Sequence, residues 1–203
     1  AAPSDALFSS EEAFFTSLSE ACQSNPSKHL SLFGVKPYFP ETGFGYLCLG
    51  EKQFLGRKVE FFIEKPSKEK AIALLESSNT LWNIGHLLFT PKVFWQEIQK
   101  YQPLLFEVKS CSYADCPEII KNLPSISIDY ALLEKSQKLQ AFTVTSSWID
   151  VGSWDALYEV LEKKENSNVE KGPIFIEDSK RSFFWAEEKP IVAIGVEDLI
   201  VID

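Results

Sequence analysis

Polar side chains set into apolar runs mark where this sequence could do chemistry, because a buried polar group needs a partner or a task. Four places stand out. Asp5 follows Pro3 and Ser4 at what reads as a strand end. Glu41-Thr42-Gly43-Phe44-Gly45-Tyr46 is a glycine loop leading into a strand. Glu64-Lys65-Pro66 closes a strand, and Trp148-Ile149-Asp150-Val151-Gly152 sets an acid between a strand and a helix start. In an open α/β sheet ligands gather at strand ends, so these segments could converge on one crevice. Each has a plainer reading too. Asp150 reads as a helix N-cap, Glu64-Lys65-Pro66 as a solvated strand exit, Asn83 as a side chain satisfying a turn, and Gly43 with Gly45 as a bulge or turn. Trp82, Trp148 and Trp154 read first as core residues.

The elements that must position these residues follow from periodicity and punctuation. Ser9 with Glu12 fits a capping box, and Ala13, Phe14, Leu18 and Ala21 give the helix behind it an apolar face. Strands are expected over 29–35, 46–49, 59–65 and 139–144, and helices over 67–77, from Pro91 to about Tyr101, and over 129–135. Thr90 before Pro91 is a cap followed by a proline at the first helical position. Ser153 opens a last helix through Lys164, with Trp154, Leu157, Tyr158 and Leu161 on one face. From 172 onward the chain holds short β-type runs between turn residues, with no repeat long enough for a solenoid. The order implies an α/β layered sheet with a small β appendage. The stretch 102–124 carries no clear pattern.

With 203 residues, 45% hydrophobic and 24% charged, the chain can bury a sizeable core. No apolar run approaches the roughly 20 residues that span a bilayer, so no membrane partner is expected. A net charge of −9 argues against sequence-independent nucleic-acid binding while leaving an anionic nucleotide open as a substrate. Four cysteines are scattered; Cys111 and Cys116 lie closest, at a spacing unlike that of a zinc knuckle. Reduced, structural cysteines in a cytoplasmic protein are the expectation. The sequence contains no methionine and closes on the strand-like Leu199-Ile200-Val201-Ile202-Asp203, which together read as a fragment of a longer protein.

Five runs in order resemble the mannose-1-phosphate guanylyltransferases, within the sugar-1-phosphate nucleotidyltransferases. Phe33-Gly34-Val35 through Pro40-Glu41-Thr42-Gly43-Phe44-Gly45-Tyr46 is similar to the family's Phe-Gly-Ile strand followed by Pro-Glu-Thr-Gly-Tyr-Gly-Tyr. Phe62-Ile63-Glu64-Lys65-Pro66 matches its Phe-Val-Glu-Lys-Pro, and Trp82-Asn83-Ile84-Gly85 its Trp-Asn-Ser-Gly. Ser127-Ile128-Asp129-Tyr130-Ala131-Leu132-Leu133-Glu134-Lys135 and Trp148-Ile149-Asp150-Val151-Gly152-Ser153-Trp154 resemble its remaining two signatures. Any one motif is weak; the ordered set is specific.

The resemblance implies a Rossmann-like nucleotide-diphospho-sugar transferase sheet, incomplete at its N-terminus. Residues 1–165 would be the sugar-phosphate-binding part, and 166–203 a linker and the start of a β-rich segment. It implies that mannose 1-phosphate attacks the α-phosphate of GTP, forming GDP-mannose and releasing pyrophosphate, a reaction that needs in-line positioning and charge neutralisation. Asp5 and Asp150 would hold Mg²⁺, because hard carboxylate oxygens suit that ion. Glu64 and Asn83 would bond sugar hydroxyls, Lys65 would lie near the sugar phosphate, and Gly45 with the Thr42 loop would let backbone approach the sugar. A homo-oligomer is compatible with the resemblance.

The sequence departs from the family in places. The glycine-rich triphosphate loop has no counterpart here, so the chain alone is expected not to bind nucleotide, and its sheet to show a raw apolar edge. Ala6 replaces a histidine, Ile84 replaces a small residue and is expected to narrow the sugar pocket, and His86 stands where an apolar residue belongs. Two other readings therefore accompany the first: a non-catalytic sugar-phosphate-binding or regulatory paralogue, and a related nucleotidyltransferase with another sugar or base.

Overall fold

The computed structural model of the chain describes residues 1–112 and 114–203, which form two compact units, Ala1–Trp148 and Ile149–Asp203. Among the described residues no helix is long and apolar enough to cross a membrane.

In the first unit β1 (Ala6–Phe8) leads into α1 (Glu11–Gln23). The cap lies one residue later than expected: Ser10 Oγ accepts from Ala13 N at 3.3 Å. Ser9 is engaged elsewhere, its N–H donating to the Ser147 carbonyl at 3.0 Å and its Oγ accepting from Ser147 N at 3.1 Å. Next come β2 (Leu30–Val35), β3 (Tyr46–Lys52), β4 (Arg57–Ile63), α2 (Lys68–Glu76), β5 (Thr80–Leu88), α3 (Pro91–Tyr101), α4 (Pro103–Glu107) and α5 (Cys116–Lys121). A π-helical turn over Asp129–Leu133 replaces the expected helix, and β6 (Leu139–Thr143) follows.

Side-chain alternation gives the sheet two buried faces. Leu30 and Leu32 of β2, Leu139 and Ala141 of β6, and Leu81 and Leu87 of β5 join Val93 and Ile98 of α3 and Leu132 and Leu133 of the π turn in one apolar cluster. Phe33 and Val35 of β2, Phe142 of β6, and Trp82 and Ile84 of β5 join Ala21 of α1 and Ala71 of α2 in a second. Helices on both faces make the layered α/β arrangement expected. Among the described residues the raw edge is not found in this sheet. The pairings run β2-β5-β3-β4-β6 and return to β2. Only β2 and β6 are parallel, and β6 takes antiparallel β4 as its second neighbour through Arg57–Ala141 and Lys58–Gln140.

The expectation of reduced cysteines is overturned. Cys111 and Cys116 form a disulfide with their Cα atoms 5.8 Å apart, while Cys22 and Cys48 are free. A 3₁₀ turn over Val108–Ser110 and the start of α5 at Cys116 bring the pair within bridging range, a local geometry that spacing alone does not reveal. Denatured without reductant, the chain is expected to titrate two thiols, and four after reduction. Four thiols before reduction would remove the bridge.

In the second unit Asp150 ends β7 (Trp148–Asp150), and α6 (Trp154–Val160) begins at its N-cap Ser153, whose Oγ accepts from Ala156 N at 3.1 Å. The helix stops at Val160 rather than Lys164. Leu161 is extended (φ −79°, ψ 152°), and Tyr158 Oη donates to the Ser167 carbonyl at 2.7 Å, tying the next segment back to the helix. Trp154, read as core, is 44% exposed and only edges against Phe183 and Trp185.

The tail is a short coil of parallel strands. It comprises β8 (Val169–Lys171), β9 (Ile174–Glu177), β10 (Phe183–Trp185), β11 (Ile191–Ile194) and β12 (Ile200–Ile202). One row stacks β8, β10 and β12, the other β9 and β11. Its solenoid character escapes a search for repeats because successive steps differ. Asn168 Oδ1 accepts from Ser182 N, 14 residues on, whereas Ser179 and Ser182 hydroxyls accept from Val196 N and Leu199 N, each 17 residues on.

Candidate active site

The loop between β2 and β3, the end of β4 and the middle of β5 meet in the first unit, and backbone bonds fix the meeting. Asn83 N donates to the Gly45 carbonyl at 2.8 Å, and Lys65 N donates to the Phe44 carbonyl at 3.3 Å. The loop is pinned at its other end, where Gly43 N donates to Glu41 Oε1 at 2.7 Å and Tyr46 Oη to the Glu41 carbonyl at 2.9 Å. A Cβ on Gly45 would sit 2.5 Å from Glu64 Oε2, so the glycine backbone and the Glu64 carboxylate share one small space. Four of the expected residues, Gly45, Glu64, Lys65 and Asn83, are thereby brought together. Thr42 is exposed on the loop.

The plainer readings divide. Glu64-Lys65 is more than a solvated exit, since Glu64 is half-buried and Lys65 takes a left-handed φ of 45°. Asn83 does satisfy a turn, its Oδ1 accepting from Gly85 N at 3.3 Å, at a glycine with φ of 74°. That bond leaves the Asn83 amide nitrogen as a donor. Asp150 is not the helix cap, because Ser153 fills that role. Asp5 precedes β1 in a bend and is exposed, so it marks a strand start rather than an end. Asp5 belongs to the first unit and Asp150 to the second.

Aromatic rings pack around Trp82, whose side chain lies on the sheet face opposite that of its neighbour Asn83. Tyr38, Phe39 and Phe44 stand edge-on around Trp82 at 4.9, 4.9 and 5.5 Å, and Phe44 meets Trp148 at 5.0 Å. Trp82 and Trp148 are core residues, as read from sequence. Ile84 is also core, 1% exposed, in the same cluster as Trp82. His86 meets the stacked Phe8 and Phe14 rings edge-on, its Nδ1 3.0 Å from the Ile84 carbonyl, and burial pushes its pKa down.

Sequence reasoning does not single out Asp129, Tyr130 and Glu134, yet all three bear on Glu64. Glu134 Oε1 accepts from Glu64 N at 3.0 Å, and Tyr130 Oη lies 3.5 Å from the Glu64 carbonyl oxygen. Burial and then the charge of Asp129 push the Glu64 carboxyl up to about 7; Lys65 opposes this and Glu134 adds to it. The available signal was the family-like run over 127–135 itself, in which two acids stand five residues apart among apolar residues. A π turn, closed here by Glu134 N donating to the Asp129 carbonyl at 2.9 Å, can bring that spacing to bear on one neighbour.

Residues 2–167 match the family model described as Nucleotidyl transferase. The chain belongs to this family. Its relatives include a mannose-1-phosphate guanylyltransferase of Klebsiella pneumoniae, 32% identical over 98% of this chain and 45% of that protein. A second, mannose-1-phosphate guanylyltransferase 2 of Escherichia coli O157:H7, is 31% identical with the same coverage. Among solved structures, one described as a mannose-1-phosphate geranyltransferase from Thermus thermophilus superposes with a TM-score of 0.86 at 27% identity. It covers all of this chain and 61% of that one. The nucleotidyltransferase chain thus spans a little under half the length of the curated relatives it matches.

Proposed function

We propose that this chain is the sugar-phosphate side of an enzyme that transfers a guanylyl group from GTP to mannose 1-phosphate, giving GDP-mannose and pyrophosphate. The observation that carries the reading is the Gly45–Glu64–Asn83 meeting, where the Glu64 carboxyl lies against the Gly45 backbone more closely than any side chain at 45 would allow, and the Asn83 N–H holds the Gly45 carbonyl. Such a set suits neutral hydroxyl groups, each of which donates and accepts. Lys65, exposed beside Glu64, would meet the sugar's phosphate. Residues 1–165 form the sugar-phosphate part in this reading, and 166–203 begin a β-rich segment.

The donor set suits Mg²⁺ in one particular way. Among the described residues no group of three or more His, Cys, Asp and Glu side chains is gathered as a metal site. Asp5 and Asp150 each offer hard carboxylate oxygens of the kind Mg²⁺ takes, with water and substrate phosphates filling its remaining positions. Bound there, the ion would neutralise charge on the reacting phosphates. The chain's own part is to orient the sugar phosphate for in-line attack, by Glu64 and Asn83 on the hydroxyls and Lys65 on the phosphate. A cytoplasmic setting belongs to this reading, and the Cys111–Cys116 bond is the feature that runs against it.

The test uses the longer protein that contains this chain, incubated with GTP, mannose 1-phosphate and Mg²⁺. GDP-mannose and pyrophosphate are expected in equal amounts by chromatography, with glucose 1-phosphate or UTP giving far less. Binding of mannose 1-phosphate without any product would point instead to a non-catalytic sugar-phosphate-binding protein.

A further inference from the structure

The segment that supports Glu64 from behind has no part in the reading above, and its geometry is unusual. A π turn places Asp129 and Glu134 at the end of β4, with Ala131, Leu132 and Leu133 buried between them as its anchor. Glu134 holds the Glu64 backbone N–H at 3.0 Å, while Tyr130 Oη reaches the Glu64 carbonyl from the same turn. The Glu134 carboxylate is therefore held beside the half-buried Glu64, and Asp129 of the same turn lies near enough for its charge to act on it.

We propose that Asp129, Tyr130 and Glu134 are the positioning residues of Glu64, and that its half-buried place beside this turn keeps its carboxyl group as a hydrogen-bond donor toward a sugar hydroxyl. The inference rests on the sugar-phosphate reading of the site. A carboxylic acid offers one donor and retains acceptor capacity, whereas a carboxylate only accepts. A protonated Glu64 also adds no charge to a pocket that must receive a phosphate. The groups facing it are Asp129, Tyr130 and Glu134 from the π turn and Lys65 from its own strand end. The loop side contributes no competing charge, because Glu41 is turned onto the Gly43 N–H, and β5 enters with neutral Asn83. Lys65 pulls toward the ionised form, but burial and Asp129 both outweigh it, and the carboxyl is pushed up to about 7.

The sign follows. Sugar binding that needs the protonated form is present below that value and is lost as pH rises through it. With a midpoint of about 7, the affinity of the intact 203-residue chain for mannose 1-phosphate should be about tenfold weaker at pH 8 than at pH 6. The sugar phosphate also titrates, with a second pKa of about 6. The Glu64→Gln variant, which carries a permanent donor, separates the two effects by keeping only the ligand's own slope.

Two measurements decide the matter. Carbon-13 NMR of the ligand-free chain follows the Glu64 carboxyl, assigned by its loss in Glu64→Gln. A midpoint of about 7 is expected, falling toward the ordinary glutamate range in Asp129→Asn. Glu134→Gln, which keeps an acceptor for Glu64 N, should lower the midpoint while preserving low-pH affinity; Glu134→Ala should lower both. A midpoint already in the ordinary range, or one that Asp129→Asn leaves in place, overturns the proposal. Calorimetry with mannose 1-phosphate from pH 6 to 8 supplies the second measurement. Identical slopes for the native chain and Glu64→Gln overturn the link to sugar recognition. Absence of binding at every pH, with the carboxyl midpoint as expected, overturns the sugar reading alone.

Discussion

Replacing Gly45 by alanine is expected to weaken mannose 1-phosphate binding about 100-fold or more, the order of loss that a displacement of about 1 Å at a positioned group produces. The added methyl would lie 2.5 Å from Glu64 Oε2 and 2.9 Å from the Phe62 ring. Phe62 is 5% exposed and packed in the core, so it cannot yield, and the Glu64 carboxyl must move instead. Gly45 does not have a left-handed backbone, so the effect is displacement of a neighbour rather than backbone strain. Gly43→Ala is the matched control: its methyl would meet only Glu41 Oε1 at 3.1 Å, the end of a flexible side chain, and near-native affinity is expected. Calorimetry on both variants, with circular dichroism to confirm folding, makes the comparison. Native affinity in Gly45→Ala would remove Glu64 from sugar recognition.

What the sequence showed of this site, and what it hid, divides along a physical line. Gly45, Glu64, Lys65 and Asn83 were legible because each interrupts an apolar strand or its end, and such interruptions stand out against period-two alternation. Their convergence was legible only through the rule that ligands gather at strand ends. Asp129 and Glu134 were not, because a five-residue spacing fits neither the helical nor the strand period, and it takes on meaning only once the chain adopts a π turn. The closure of the sheet was hidden for a related reason. Pairing of Arg57 and Lys58 with β6 joins residues far apart in sequence, and no local pattern specifies a long-range neighbour. The Cys111–Cys116 bridge lay within a stretch that carried no periodicity to interpret.

Asp150→Asn in the longer protein is expected to lower GDP-mannose formation by about 100- to 1,000-fold, since metal-borne charge stabilisation is worth several kcal/mol and each 1.4 kcal/mol is about tenfold. The amide keeps the size of the acid and one acceptor oxygen but loses the charge that a hard divalent ion requires. Two sequence readings competed for this residue, helix cap and metal ligand, and the position of the cap removes the first. Ser153 Oγ accepts from Ala156 N at the start of α6, so the helix does not depend on the Asp150 carboxylate as its cap. Ser153→Ala should therefore cost about 1 kcal/mol of stability and leave turnover near native. Asp150→Asn should do the reverse, with a melting temperature close to native, turnover nearly lost, and a Mg²⁺ requirement shifted to higher concentration. Native turnover in Asp150→Asn at low Mg²⁺ would refute the metal-ligand role.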